Sequence, residues 1–185
     1  QKQRPIKPDE TVWNKYENIL TTNKIGCSKE YIDYLNKYTE EEFPNILDEP
    51  YVRVWTRPVQ SYARNYSKFD VSLAPIKNHM FNRVKSQLKV IEAGFYKKAL
   101  IASNVGPYTI DLKHALKNGQ FTDGNALLVD ENRNHSDWSK FVKKLIQNRN
   151  FVQDLGERLY ETVKDTYDLN VITKTRAEWY KSILK

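Results

Sequence analysis

The chain is poor in the residues that staple small proteins or ligate metals. It has one cysteine, Cys27, and three scattered histidines, so it can close no internal disulfide and offers no cluster at zinc-ligand spacing. That composition predicts a reducing, cytoplasmic setting and no metal. No apolar run approaches the roughly 20 residues that a membrane-spanning helix needs, and the stretch Gln1-Lys2-Gln3-Arg4-Pro5-Ile6-Lys7-Pro8 lacks a secretory apolar region. A nucleophile-base-acid triad, a P-loop and a GxGxxG fingerprint are also missing. What is present is a core. Of 185 residues, 39% are hydrophobic, and 12 Tyr, 7 Phe and 4 Trp supply enough apolar area for one globular domain without staples. Disordered and collagen-like classes are excluded.

The net charge of +7 is concentrated in one segment. Residues 1–75 carry 11 basic and 11 acidic side chains, and residues 119–185 carry 11 and 10. Between them, Lys77, Arg83, Lys85, Lys89, Lys97, Lys98, Lys113 and Lys117 face only Glu92 and Asp111, so this stretch holds +6 of the +7. It reads either as the docking surface of an anionic partner or as an ordinary solvated basic face.

Periodicity divides the chain into a helical lead-in, 1–50, and an α/β domain, 51–185. Val12, Trp13, Tyr16, Ile19 and Leu20 share one helical face, and Tyr31, Ile32, Tyr34, Leu35 and Tyr38 share another. A strand is expected at Tyr51-Val52-Arg53-Val54-Trp55 and a helix at 59–67. Then come strands at Val71–Ala74, Ala99–Ala102 and Ala126–Val129. They alternate with a long helix capped by Asn82 and running through Glu92, a helix near 110–117, and a helix capped by Ser136. Two more helices close the chain, one carrying Phe151, Leu155, Leu159 and Val163, the other Val171, Ile172, Trp179, Ile183 and Leu184. Parallel strands need crossover connections, which are usually helical, so the expected class is α/β with a doubly wound, Rossmann-like parallel sheet.

In open parallel sheets, ligands bind beyond the carboxyl ends of the strands. That rule selects the loops Pro75–Asn82, Ser103–Tyr108 and Asp130–His135. In the helix after the first loop, Val84, Leu88, Ile91 and Phe95 form a stripe expected to face the sheet, with Lys85, Lys89, Glu92 and Tyr96 one residue later. Arg83, Lys85 and Ser86 near the helix start suit a pyrophosphate, and Glu92 suits ribose hydroxyls; Lys89 and Glu92 can equally be a surface pair. Gly106-Pro107 is either a backbone approach for ligand or a plain turn. His79 is either a phosphate or sugar-hydroxyl contact or a solvent-facing side chain. His114 and His135 are assigned no role.

Four stretches, read in order, carry a family resemblance: Phe69-Asp70-Val71-Ser72-Leu73-Ala74-Pro75; Phe81-Asn82-Arg83-Val84-Lys85-Ser86-Gln87-Leu88-Lys89-Val90-Ile91-Glu92-Ala93-Gly94; Leu100-Ile101-Ala102-Ser103-Asn104-Val105-Gly106-Pro107-Tyr108; and Asn125-Ala126-Leu127-Leu128-Val129-Asp130. Over residues 50–185 this text resembles the donor-binding, C-terminal half of GT-B glycosyltransferases of group 1, family 4. The resemblance implies a domain that binds a nucleotide-sugar and retains anomeric configuration. It implies no cofactor or metal, and an N-terminal acceptor domain as partner. It also implies that Glu92 is the second glutamate of the family's paired motif, holding the donor ribose. The first glutamate falls at Val84, where this sequence departs from the pattern. Lys85 and Ser86 resemble the phosphate contacts, and Asn104, Gly106, Pro107 and Tyr108 the loop near donor phosphate or sugar. Residues 1–50 match poorly. The chain is expected to lack the acceptor half and to be inactive alone. The alternatives are a non-catalytic nucleotide or phosphosugar module, favoured by Val84, and a peripheral contact, with an anionic membrane or with nucleic acid, through Lys77, Lys97, Lys98, Lys113 and Lys117. Of these two, the membrane is the expected partner and nucleic acid is not.

Overall fold

The computed structural model describes residues 61–134 and 136–184, all within one compact unit, Arg57–Lys185. The two expected N-terminal helices, Cys27, the strand at 51–55 and His135 lie outside the described residues. In chain order the elements are β1 (Val71–Ala74), α1 (Met80–Arg83), α2 (Leu88–Phe95), β2 (Ala99–Ser103), β3 (Leu116–Lys117), β4 (Gln120–Phe121), β5 (Leu127–Val129), α3 (Asp137–Ile146), α4 (Arg149–Tyr167) and α5 (Leu169–Ile183). Single 3-10 segments occupy Tyr62–Lys68, Gly106–Thr109 and Glu131–Arg133. The first of these stands where an α-helix over 59–67 was expected.

The class is α/β. Strands β1, β2 and β5 form a parallel three-stranded sheet in that spatial order, with Val71 opposite Ala99 and Ile101 opposite Leu127. All five residues of β2 are buried, as a central parallel strand covered on both faces requires. Its side chains alternate between two cores. Leu100 and Ala102 join Ala74, Val90, Ala93, Leu159 and Val163 on one face. Ala99 and Ile101 join Leu127, Val129, Phe141, Leu145, Phe151 and Leu155 on the other. Each fully buried aliphatic side chain stabilises the fold by about 1.5–3 kcal/mol.

Helix α4 serves both cores, because it passes the amino end of β2 as it crosses from one face to the other. The crossing is tight: a Cβ on Gly156 would lie 2.1 Å from the Lys97 carbonyl oxygen. Two turns later α4 meets α2, where a Cβ on Gly94 would lie 2.5 Å from Val163 Cγ2.

That contact corrects the expected face of the helix after β1. The stripe Val84, Leu88, Ile91, Phe95 does not cover the sheet; Val84 is 75% and Leu88 51% exposed, and Phe95 also reaches solvent. The buried face carries Val90, Ala93 and Gly94. Where α2 presses on α4 at Gly94 there is no room for a Cβ, so residue size rather than hydrophobicity decides what faces α4. The expected long helix is also two pieces. α1 is held by its own loop, with Asn82 donating to the Lys77 carbonyl at 2.8 Å and Arg83 Nε to Asn78 Oδ1 at 2.7 Å. Since α2 is held instead by α4, the chain bends between them over 84–87. Asn82 therefore lies inside α1, and the cap is His79, whose Nδ1 accepts from the Phe81 amide at 3.3 Å.

A second correction concerns residues 110–117, which are not helical. They lead into a hairpin in which Leu116 pairs with Phe121 and Lys117 with Gln120, leaving Asn118-Gly119 as a two-residue turn with φ of +51° and +80°. The primed turn these angles make matches the twist of the strands. Ser136 does precede α3, but its hydroxyl donates to the Arg133 carbonyl instead of capping the helix amides.

Candidate functional site

The carboxyl ends of β1, β2 and β5 point the same way, so the loops that follow them must meet. Three hydrogen bonds tie those loops together. The Ile76 amide donates to Ser103 Oγ at 2.9 Å, Asn78 Nδ2 to Glu131 Oε2 at 3.0 Å, and Asn104 Nδ2 to Asp130 Oδ1 at 2.7 Å. The cleft they enclose, of about 370 Å³, is lined by Pro75, Ile76, Lys77, Asn78, Ser103, Val105, Val129, Glu131 and Asn134. This volume falls in the range of small-molecule sites. A larger groove of about 550 Å³ runs beside β1, along Val71, Leu73, Val142 and Ile146. It is mainly apolar and gathers few groups able to do chemistry.

The residues selected from sequence divide between two places. Arg83 reaches the cleft through Asn78, Asn82 through the Lys77 carbonyl, and Asn104 holds its rim through Asp130. His79 orders the loop as the α1 cap rather than facing a ligand with a free ring nitrogen pair. Gly106 has φ of +55° and packs against α1: a Cβ there would fall 2.8 Å from Arg83 Cα. Pro107 and Tyr108 are buried in the 3-10 turn that follows. Lys85 and Ser86 are exposed just before α2, Lys85 Nζ lying 4.8 Å from the Phe81 ring centre.

Glu92 sits elsewhere, on the buried face of α2. Its Oε2 accepts from the Tyr66 hydroxyl at 2.7 Å and from Lys89 Nζ at 3.1 Å, whereas its buried Oε1 has no hydrogen-bond partner. The sequence admitted either a ribose contact or a surface pair with Lys89; the pair exists, but Glu92 is 8% exposed and so is no surface residue. Burial holds its carboxyl above the usual glutamate range. The half-exposed Lys89 ammonium does not overcome that effect, because its own field is screened by water. Burial likewise raises the Tyr66 and Tyr108 hydroxyls, with the Glu92 charge adding to the shift at Tyr108. Glu92, Tyr66 and Tyr108 thus make one buried polar cluster under α2.

Sequence reasoning found the three loops but not every side chain in them. Lys77 was marked by the basic segment, whereas Asn78, Ser103, Glu131 and Asn134 carried no signal beyond lying in the right loops. A further cluster had none at all. Gln87 Nε2 donates to Asp111 Oδ2 at 2.5 Å and to the Tyr167 hydroxyl, which itself donates to Asp111 Oδ2 at 2.5 Å. These residues join the start of α2, the loop after β2 and the end of α4, separations that only folding closes. Among the described residues no three His, Cys, Asp or Glu side chains converge as a metal site, and no helix is long and apolar enough to cross a membrane. In comparisons with known proteins, no family model and no curated protein matches this chain.

Proposed function

We propose that this unit is a Rossmann-like, doubly wound domain that binds a nucleotide-sugar at the carboxyl ends of its parallel strands, as the donor half of a retaining glycosyltransferase. The observation that carries the reading is the convergence of three hydrogen-bonded loops on one cleft, with Lys77 in its lining and Arg83 bonded to the lining residue Asn78. The donor diphosphate pairs with Arg83 and Lys85 and accepts from Ser86 and the first free amides of α2, so no metal is needed to offset its charge. The ribose hydroxyls donate to Glu92 Oε1, the one oxygen of that carboxylate without a partner. Reaching it requires the Tyr66 side to open. The acceptor and the remaining catalytic groups come from an N-terminal partner domain.

One pair of observations favours a second reading, a non-catalytic nucleotide or phosphosugar module. Val84 puts an exposed valine where the family places a carboxylate, and Tyr66 with Lys89 closes over Glu92. Calorimetric titration of the full chain with UDP, GDP, ADP and pyrophosphate tests both. Saturable binding of one nucleotide is expected, weakened about tenfold or more by Lys85→Ala, since a charge-assisted hydrogen bond is worth roughly 1.5–3 kcal/mol. Glu92→Gln is expected to weaken the nucleotide but not pyrophosphate. Absence of binding by all four refutes the proposal. Turnover of a nucleotide-sugar by the chain mixed with an acceptor-binding domain separates enzyme from module.

A further inference from the structure

Helix α5 contains no buried residue along its 15-residue length. It begins cleanly, with Asp168 Oδ1 accepting from the Asn170 and Val171 amides at 2.8 and 3.3 Å. Yet its first half holds Val171, Ile172, Thr173 and Thr175, β-branched residues that lose side-chain freedom in a helix. A helix of this length and composition is marginal in water unless one face is covered. The face that needs covering is well defined. At 3.6 residues per turn, Leu169, Ile172, Trp179, Tyr180 and Ile183 fall on one arc, while Lys174, Glu178 and Lys181 fall on the opposite one. Trp179 and Ile183 are each 58% exposed.

Charge selects the kind of cover. Lys174, Arg176 and Lys181 face only Glu178 within the helix, and Arg176 lies inside the apolar arc, where its long stem can run along an apolar surface while the guanidinium reaches out to an anion. The adjacent Trp179 and Tyr180 are the residue types that settle where hydrocarbon meets headgroups. We propose that α5 is an interfacial helix that lies in the headgroup layer of an anionic bilayer. Its apolar arc is buried among the acyl chains, and its cations pair with lipid phosphates and carboxylates. The chain then docks by its closing helix, independently of whether the strand-end cleft binds a nucleotide. With one short apolar arc and an excess of only two positive charges, the attachment is reversible and salt-sensitive.

The test is sedimentation of the full chain with vesicles of phosphatidylcholine alone and of phosphatidylcholine and phosphatidylserine in equal parts. Binding to the anionic vesicles only, lost at high salt, is expected. The Lys174→Gln, Lys181→Gln pair should weaken it about 25-fold, roughly fivefold for each lysine near the surface. Trp179→Ser with Ile183→Ser should weaken it at least tenfold. Both pairs replace exposed side chains, so thermal melting should stay near that of the parent. Three results overturn the proposal: no sedimentation with anionic vesicles, equal sedimentation with neutral ones, or binding unchanged by the Trp179, Ile183 pair. If the parent ignores lipid but self-associates, and that pair abolishes the self-association, α5 is a protein interface and the membrane assignment fails.

Discussion

Replacing Gly106 by alanine is expected to loosen the cleft by separating the loop after β2 from α1. Two costs add. At φ of +55° the new Cβ forces a left-handed backbone on an L-residue, which costs about 1–2 kcal/mol. The same Cβ would lie 2.8 Å from Arg83 Cα and 3.1 Å from the Asn82 carbonyl oxygen, both backbone atoms that no rotamer change can move aside. Overpacking of that kind costs about 1–3 kcal/mol. The sum, about 2–5 kcal/mol, is a large share of the roughly 5–15 kcal/mol that holds a domain together. Gly119→Ala is the control. Gly119 has φ of +80° but nothing within 4 Å of the added Cβ, so it carries the backbone cost without the clash. Urea unfolding of the parent and both variants measures the difference. Gly106→Ala should lose about 1–3 kcal/mol more than Gly119→Ala. Because Arg83 sits at the clash, it should also weaken nucleotide binding by more than lost stability accounts for. If the two alanine variants unfold within about 0.5 kcal/mol of each other, the close approach of this loop to α1 is refuted.

Leu159 is fully buried between α4 and the sheet, so Leu159→Ala should cost about 2–5 kcal/mol in urea unfolding, whereas Leu169→Ala, at a site 75% exposed on α5, should change stability by less than about 0.5 kcal/mol. Equal effects would contradict the assignment of the core. His114 should make stability fall below neutral pH. Its Nδ1 accepts from the Leu128 amide at 2.9 Å, and burial holds the imidazole below the usual histidine range, with Asp130 and Asp137 opposing the shift. The unfolded state therefore takes up the proton first. Stability is intact above the ordinary histidine pKa, declines as pH falls through it, and levels off below the folded value. Urea midpoints followed from about pH 7.5 to about pH 5 should show that decline, worth about 1 kcal/mol for one hydrogen bond. His114→Gln should flatten the His114 part of the curve; an unchanged slope would show that the amide contact does not govern it.

The residues that were legible in sequence are those whose signal is local. Val71–Ala74, Ala99–Ser103 and Leu127–Val129 are short apolar runs between polar loops, and each became a strand of one parallel sheet. Asn118-Gly119 carried an equally local signal, since a two-residue Asn-Gly turn is the strongest short-range mark of a hairpin. Reading residues 110–117 as a helix overrode it. The break after Arg83 had no such mark, because α1 and α2 are held by different partners.

The candidate site shows the same division. The rule that ligands bind beyond the carboxyl ends of parallel strands picked out all three loops, because chain order and strand direction alone place them together. Which side chains face one another there is a non-local matter. Asn78 meets Glu131 across 53 residues and Gln87 meets Tyr167 across 80, distances in sequence over which no periodicity extends. Sequence by itself therefore determined the α/β class, the three strands of the parallel sheet and the end of that sheet where the loops gather, since these follow from hydrophobic runs and chain direction. Only the tertiary structure decided that Glu92 is buried and that α2 presents its small residues inward. The closeness of α4, not the hydrophobicity of any single residue, sets how much room that face has.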